Sequence, residues 1–335
     1  MKNKRIYILI IFLIVLIYYF SPKQKTVDNT DFSKLDYNHQ LETIKSMALK
    51  DPSKAWLFIK QKFIINGQVV GNAHGFAHIV GNASFKKSGI EGIKICDSSF
   101  AFGCFHGVTE SMLLSGGLSK VKEIENECLQ LFPKDKTQDY TGCIHGTGHG
   151  LFEWETGDLK KALLDCDIIS HENRQYCYDG VFMENSNELK DRTIDEKNPW
   201  KLCFNLESRY HRNCARYQSQ IFLGQFGSPN SPTLVGRYCS VAPSSLLKNT
   251  CYESLGYYVA QTNLGKPDLI FQSCSKMPDT DGREMCTKGG AVETVFQKYE
   301  GFKDSSIILC KKLREPNQSL CLNNIENMLS QNVQN

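Results

Sequence analysis

Apolar positions recur at steps of three and four residues through most of the chain, and short polar connections interrupt that helical period at regular intervals. A first apolar-periodic segment ends near a cysteine, as in SKVKEIENECLQLF (residues 119–132) or DLKKALLDCDII (158–169). A polar connection follows, such as SHENRQY (170–176) or PDTDGRE (278–284). A second segment then begins at another cysteine, as in CARYQSQIFLG (214–224), CYESLGYYVAQ (251–261) or CTKGGAVETVFQ (286–297). Strand-like alternation is scarce. Asp51-Pro52, Asn198-Pro199 and Glu315-Pro316 mark helix starts, because proline suits the first turn of a helix and little else within one. The pattern predicts an all-α protein of antiparallel helical hairpins.

The cysteines give the period. All 14 lie after position 90, and in chain order they fall into neighbours. Cys96 goes with Cys104, Cys128 with Cys143, Cys166 with Cys177, and Cys203 with Cys214. Cys239 goes with Cys251, Cys274 with Cys286, and Cys310 with Cys321. The second members recur every 34 to 39 residues, the length of helix-hairpin repeats that stack into solenoids. An even count at one recurring spacing predicts sequential disulfides, each stapling one hairpin. A cysteine-free hairpin precedes the seven, with its first helix holding Ala55 to Phe63 and its second starting near Asn72. The expected architecture is therefore an α-solenoid of about eight hairpins over residues 41–330.

One apolar run is not part of this period. Ile6 to Phe20 is uninterruptedly apolar, follows Lys2, Lys4 and Arg5, and is closed by Ser21-Pro22-Lys23. A basic flank before an apolar core describes a signal peptide or a signal anchor. No small-x-small cleavage site follows, which favours an uncleaved transmembrane anchor at 6–20. A cytoplasmic stub would then precede it at 1–5 and a juxtamembrane tether follow at 21–40. The body would lie outside the cytoplasm, periplasmic or extracellular, where disulfides persist. The net charge of +3 and the absence of a basic cluster with interleaved aromatics give no case for nucleic acid.

Aligned on their first residues, the second helices carry a further pattern. The upstream hairpin has His74 and His78, in NAHGFAH. The next has His106 and Glu110, in CFHGVTE. The third has His145 and His149, in CIHGTGH, with Glu153 one turn on, and the fourth has Asp179 and Glu184, in CYDGVFME. Beyond residue 190 the equivalent first positions are Arg216, Glu253, Lys288 and Asn323, and the pattern stops. Five of the chain's eight histidines fall in these two registers of three successive hairpins. His171 and His211 sit in connections, and His39 in the tether.

Residues four apart share a helix face, and facing helices that present imidazoles and carboxylates are how helical bundles hold metal ions. The expected ligands are His74, His78, His106, Glu110, His145, His149 and Asp179, within residues 71–190. Glu110, Glu153 and Glu184 are candidate general bases. With every cysteine in a disulfide, thiolate sites are excluded. One or two ions of zinc, iron, manganese or copper are the expected cofactor. A glycine follows each first register position, so neighbouring helices can approach closely. A packing seam with carbonyl-bonded histidines, and a polar groove without metal, are the competing readings.

In arrangement the pattern resembles the helical-repeat di-iron hydroxylases, in which histidine–carboxylate motifs recur on successive hairpins. Those proteins use a different motif and are intracellular, so the resemblance implies a fold and no more. Two functions stay open on the sequence: a metal-dependent hydrolase or oxygenase, and a membrane-tethered scaffold. In the second, repeats 191–330 would present a groove to an unknown protein or polymer partner.

Overall fold

The computed structural model of the protein describes residues 32–65, 68–132, 137–189, 195–226 and 231–332. The expected stub and anchor, and the tether as far as residue 31, lie outside them. No described helix is long and apolar enough to cross a membrane.

The chain divides into a unit of Met1–Thr43 and a unit of Ile44–Asn335. The described part of the first is a 3-10 turn, Phe32–Lys34, and the opening of helix α1 (Tyr37–Lys50). The Asp36 carboxylate caps α1 by accepting from the His39 amide at 3.1 Å. The helix therefore starts inside the stretch expected to be tether, and His39 belongs to it.

Among its described residues the second unit is built of helices and their connections, with one small hairpin. Helix α2 (Pro52–Phe63) begins at Pro52 behind Asp51, whose side chain accepts from the Lys54 amide. The hairpin β1 (Ile64–Ile65) and β2 (Gln68–Val69) then leads to α3 (His74–Ser88). There follow α4 (Gly103–Gly116), α5 (Val121–Leu131), α6 (Thr137–Trp154), α7 (Leu159–Asp165), α8 (Arg174–Leu189), α9 (Lys201–Phe204) and α10 (His211–Phe226). The series ends with α11 (Ser231–Ser240), α12 (Ser245–Gln261), α13 (Pro267–Cys274), α14 (Thr280–Gln297), α15 (Phe302–Lys311) and α16 (Asn317–Asn332).

The disulfides join the expected neighbours. Cys96 is bonded to Cys104, Cys128 to Cys143, Cys166 to Cys177, and Cys203 to Cys214. Cys239 is bonded to Cys251, Cys274 to Cys286, and Cys310 to Cys321. The paired Cα atoms stand 5.4 to 5.9 Å apart, and no cysteine is free. Each bond ties the end of a first segment to the opening turns of a second helix. Cys143, Cys177, Cys214, Cys251, Cys286 and Cys321 lie on α6, α8, α10, α12, α14 and α16 in turn, and Cys104 on α4. All of these are buried, so the staples run through the interior and not along its surface.

The first segments are less uniform than the sequence pattern suggests. In the first stapled hairpin that segment is a 3-10 turn, Gly89–Ile95, and α9 is a single turn. Gly92 lets the former press directly on α3, since a β-carbon there would lie 2.6 Å from the Ser84 backbone.

The second helices form the spine of this unit. α3, α4, α6, α8, α10, α12, α14 and α16 each pack on the next. Phe76, Phe105, Phe152, Phe182, Phe222 and Tyr252, one from each of the first six, are among the largest side chains wholly removed from water. Burying such a ring is worth about 2–3 kcal/mol. Glycines set the spacing. A β-carbon on Gly107 would sit 2.2 Å from the His78 carbonyl oxygen, and one on Gly81 would sit 2.1 Å from that of Cys104. The same reciprocal arrangement recurs with Gly148 and Gly180 between α6 and α8, and with Gly256 and Gly289 between α12 and α14. These helix pairs pack backbone to backbone, which is why glycine recurs inside helices at a cost of about 1 kcal/mol each.

Candidate metal centre

Close packing of α3, α4 and α6 brings the five register histidines together. His78 Nε2 lies 3.1 Å from His74 Nε2 and 3.2 Å from His106 Nδ1. His149 Nε2 lies 3.0 Å from His145 Nε2, and the His106 and His149 ring centroids are 3.9 Å apart. Among the described residues, two groups of donors converge closely enough to hold an ion. They are His74, His78 and His106, and His106, His145 and His149, with His106 common to both. Ligands at 2.0–2.1 Å from a tetrahedral ion stand about 3.3–3.4 Å apart, and about 2.9 Å at right angles. The observed separations fall in or near that interval.

The outward nitrogens are held from behind. His74 Nδ1 donates to the Phe100 carbonyl oxygen at 2.7 Å. His149 Nδ1 meets Glu184 Oε2 at 2.6 Å. Glu110 Oε2 faces His78 Nδ1 at 3.6 Å, and Asp179 Oδ2 faces His145 Nδ1 at 3.5 Å. Carbonyls and carboxylates only accept, so the 2.7 and 2.6 Å bonds place the proton on Nδ1 of His74 and of His149 and leave each Nε2 as a lone pair. Each of these lone pairs points inward at a second ring nitrogen, His78 Nε2 or His145 Nε2. Burial disfavours the charged forms of His74 and His106: desolvation first, then the neighbouring imidazoles, lowers the pKa of His74 and puts His106 well below the usual range. Burial likewise takes His149 to about 4, against the pull of Glu184. His106 is fully buried, and its Nε2 has no hydrogen-bond partner.

The sequence-expected residues therefore divide into two sets. The five histidines supply the converging atoms. Glu110, Asp179 and Glu184 lie at outer nitrogens and not among those atoms. Glu153 is exposed on the last turn of α6. Partial desolvation, followed by the charges of Glu184, Glu110 and Glu188, holds its carboxyl above the ordinary value.

Two contributors have no visible signal in the sequence. The first is the Phe100 carbonyl. Phe100, Ala101 and Phe102 are three consecutive non-glycine residues in the left-handed region, at φ 55°, 50° and 65°, a conformation costing about 1–2 kcal/mol per residue. Three contacts hold them there. The bond between Cys96 and Cys104 closes the shortest of the seven loops around them. The Phe100 ring meets Trp56 edge-on at 5.7 Å, and the Phe102 ring fills the hollow left by Gly142. The second contributor is the group behind Asp179, where Arg216 Nη1 lies at 3.3 Å and the Tyr217 hydroxyl donates at 2.9 Å. Burial would raise the Asp179 carboxyl, but Arg216, with His145 and Tyr217, holds it well below its usual range. It is a fixed anion.

No protein-family model, curated protein or solved structure matches the chain. What the site can do is read from its geometry alone.

Proposed function

We propose that the protein is a membrane-anchored, extracytoplasmic metalloprotein of stacked helical hairpins, with one or two divalent transition ions held by its five register histidines. Ile6 to Phe20 is the anchor, and the eight hairpins continue as a solenoid. The observation that carries the reading is the convergence of imidazole nitrogens at 3.0–3.1 Å, with one Nε2 of each couple left as a lone pair by an acceptor on its Nδ1. A cation between the two nitrogens of a couple would take both as ligands. Histidine with a carboxylate or carbonyl behind it is the usual support of a ligating imidazole.

An all-imidazole donor set favours zinc or copper over manganese, which prefers oxygen. Oxygen-activating iron sites commonly place a carboxylate on the ion, and here the carboxylates stand outside. Three histidines with a free position suit hydrolysis, since an ion so held lowers the pKa of a bound water toward neutrality. We therefore favour a metal-dependent hydrolase, with Glu110 beside the first triad as its candidate base.

The reading is tested by elemental analysis of the purified full-length protein before and after reconstitution with zinc, copper, iron and manganese. One or two ions per chain are expected, with His106→Ala losing more than any other single histidine variant because both triads share it. Absence of stoichiometric metal under all four conditions would overturn the proposal.

A further inference from the structure

His106 is the one histidine common to both triads. It lies on α4, which packs against both α3 and α6, and it is wholly removed from water. Glycines draw the neighbouring helices close to it. A β-carbon on Gly107 would meet the His78 carbonyl oxygen at 2.2 Å, and one on Gly146 would meet the His106 amide nitrogen at 3.3 Å.

The two ring nitrogens of His106 have different surroundings. Nδ1 lies 3.2 Å from His78 Nε2, close to the separation of about 3.3–3.4 Å for two ligands of one tetrahedral ion. Nε2 is buried and has no hydrogen-bond partner among the described residues. The His149 ring stacks on the His106 ring with centroids 3.9 Å apart, and the His145 ring stands at 5.3 Å. A neutral imidazole carries one N–H and one lone pair. With the proton on Nδ1, Nε2 is a buried acceptor with nothing to accept; with the proton on Nε2, it is a buried donor with nothing to receive it. Both tautomers leave the same atom unpaired, which folded proteins rarely allow. One lone pair serves one ion, so filling both triads together requires both nitrogens of this ring.

We propose that the protein holds two divalent zinc or copper ions at once and that His106 bridges them. Nδ1 binds the ion shared with His74 and His78, and Nε2 binds the ion shared with His145 and His149. On loading, the remaining N–H bond of His106 breaks, its electron pair stays on the nitrogen and forms the second metal bond, and the proton leaves to solvent. Neither ion changes oxidation state. The inference rests on the metal reading and deepens it, fixing the number of ions at two and coupling them through one ring.

The test uses full-length protein loaded with copper(II). Copper is counted by elemental analysis, and unpaired spins by integrating the electron paramagnetic resonance signal at liquid-helium temperature. An imidazolate between two copper(II) ions couples their electrons antiparallel, so the wild type should hold two ions per chain with a spin count well below its copper count. Two ions that are merely close broaden the signal without lowering its integral. His145→Ala, which dismantles the second triad alone, should hold one ion and show one spin for it. His106→Ala should show one spin for every copper ion it retains. Two ions with a full spin count in the wild type, or a single ion, would overturn the bridge and leave the metal reading standing. So would a low spin count that persists in His106→Ala. No bound copper would also overturn the bridge, and no stoichiometric zinc, iron or manganese besides would overturn the metal reading with it.

Discussion

Replacing Gly107 with alanine separates the scaffold's role from the site's. A β-carbon at this position would lie 2.2 Å from the His78 carbonyl oxygen and 2.8 Å from the Asn82 amide nitrogen. Both are backbone atoms, so no side-chain rotation relieves the contact. Ordinary contact begins near 3.4 Å, and α4 must therefore move by about 1 Å from α3 to restore close packing. His106 precedes Gly107 and moves with it, while His74 and His78 stay on α3. Ligand distances tolerate only about 0.2 Å, so the first triad is pulled beyond the reach of a single ion. For stability, alanine gains about 1 kcal/mol in helix propensity and loses about 1–3 kcal/mol to overpacking. The expected net loss is up to about 2 kcal/mol, a few degrees in Tm.

Gly289→Ala supplies the control. Its β-carbon would lie 2.0 Å from the Glu253 carbonyl oxygen, an equivalent clash between α12 and α14, where neither helix carries a histidine. Differential scanning calorimetry should show comparable losses for the two variants. Competitive chelator titration should show metal affinity reduced about 10-fold or more for Gly107→Ala, the scale of a disturbed ligand shell, and unchanged for Gly289→Ala. Equal metal affinity in the two variants would refute the reasoning, because the helix spacing at α3–α4 would then not set the ligand geometry.

Two further outcomes follow from the scaffold. Replacing both Cys166 and Cys177 with alanine opens a loop of 11 residues. That should cost about 3 kcal/mol on the chain-entropy account, read as a lower midpoint in urea with metal content retained. Asp165 has its carboxyl raised to about 6, by burial first and then by neighbouring Glu155. Its folded value lies above its unfolded one, so its ionisation penalises the fold increasingly as pH rises from about 4 to about 6. Asp165→Asn should therefore raise Tm by a few degrees at pH 7.5 and leave it unchanged at pH 4; a gain equal at both pH values would rule out the titration.

The disulfide framework and the hairpin order are legible because one spacing recurs from Cys104 and Cys143 through to Cys321, and a spacing is what sequence records directly. Helical period places His74 with His78, and His145 with His149, on shared faces. Period cannot say how near two faces come. That depth depends on Gly81 and Gly107 acting as a pair across two helices, and a glycine read singly looks only like a weak helix former. Nor does residue type say which imidazole nitrogen faces inward. Glu110 and Asp179 look like ligands beside histidines, yet each meets an outer nitrogen. The Phe100 carbonyl is out of reach altogether, since a backbone oxygen has no signature and the left-handed run that aims it is made of ordinary residues.

The end of the histidine pattern at α8 has a physical reading of its own. The first register position runs His74, His106, His145, Asp179, Arg216, Glu253, Lys288 along successive second helices. Asp179 faces both His145, at 3.5 Å, and Arg216, at 3.3 Å, and Glu253 pairs with Lys288 at 3.4 Å. Past the histidines the same inward position is filled by charges of alternating sign, so each polar side chain there meets a partner supplied by the chain. Among the histidines no such alternation exists, and imidazole nitrogens face one another. One repeated geometry thus yields a row of charge pairs in the later hairpins and a cluster of ring nitrogens in the first three, and on the metal reading only that cluster takes a cation from outside the chain.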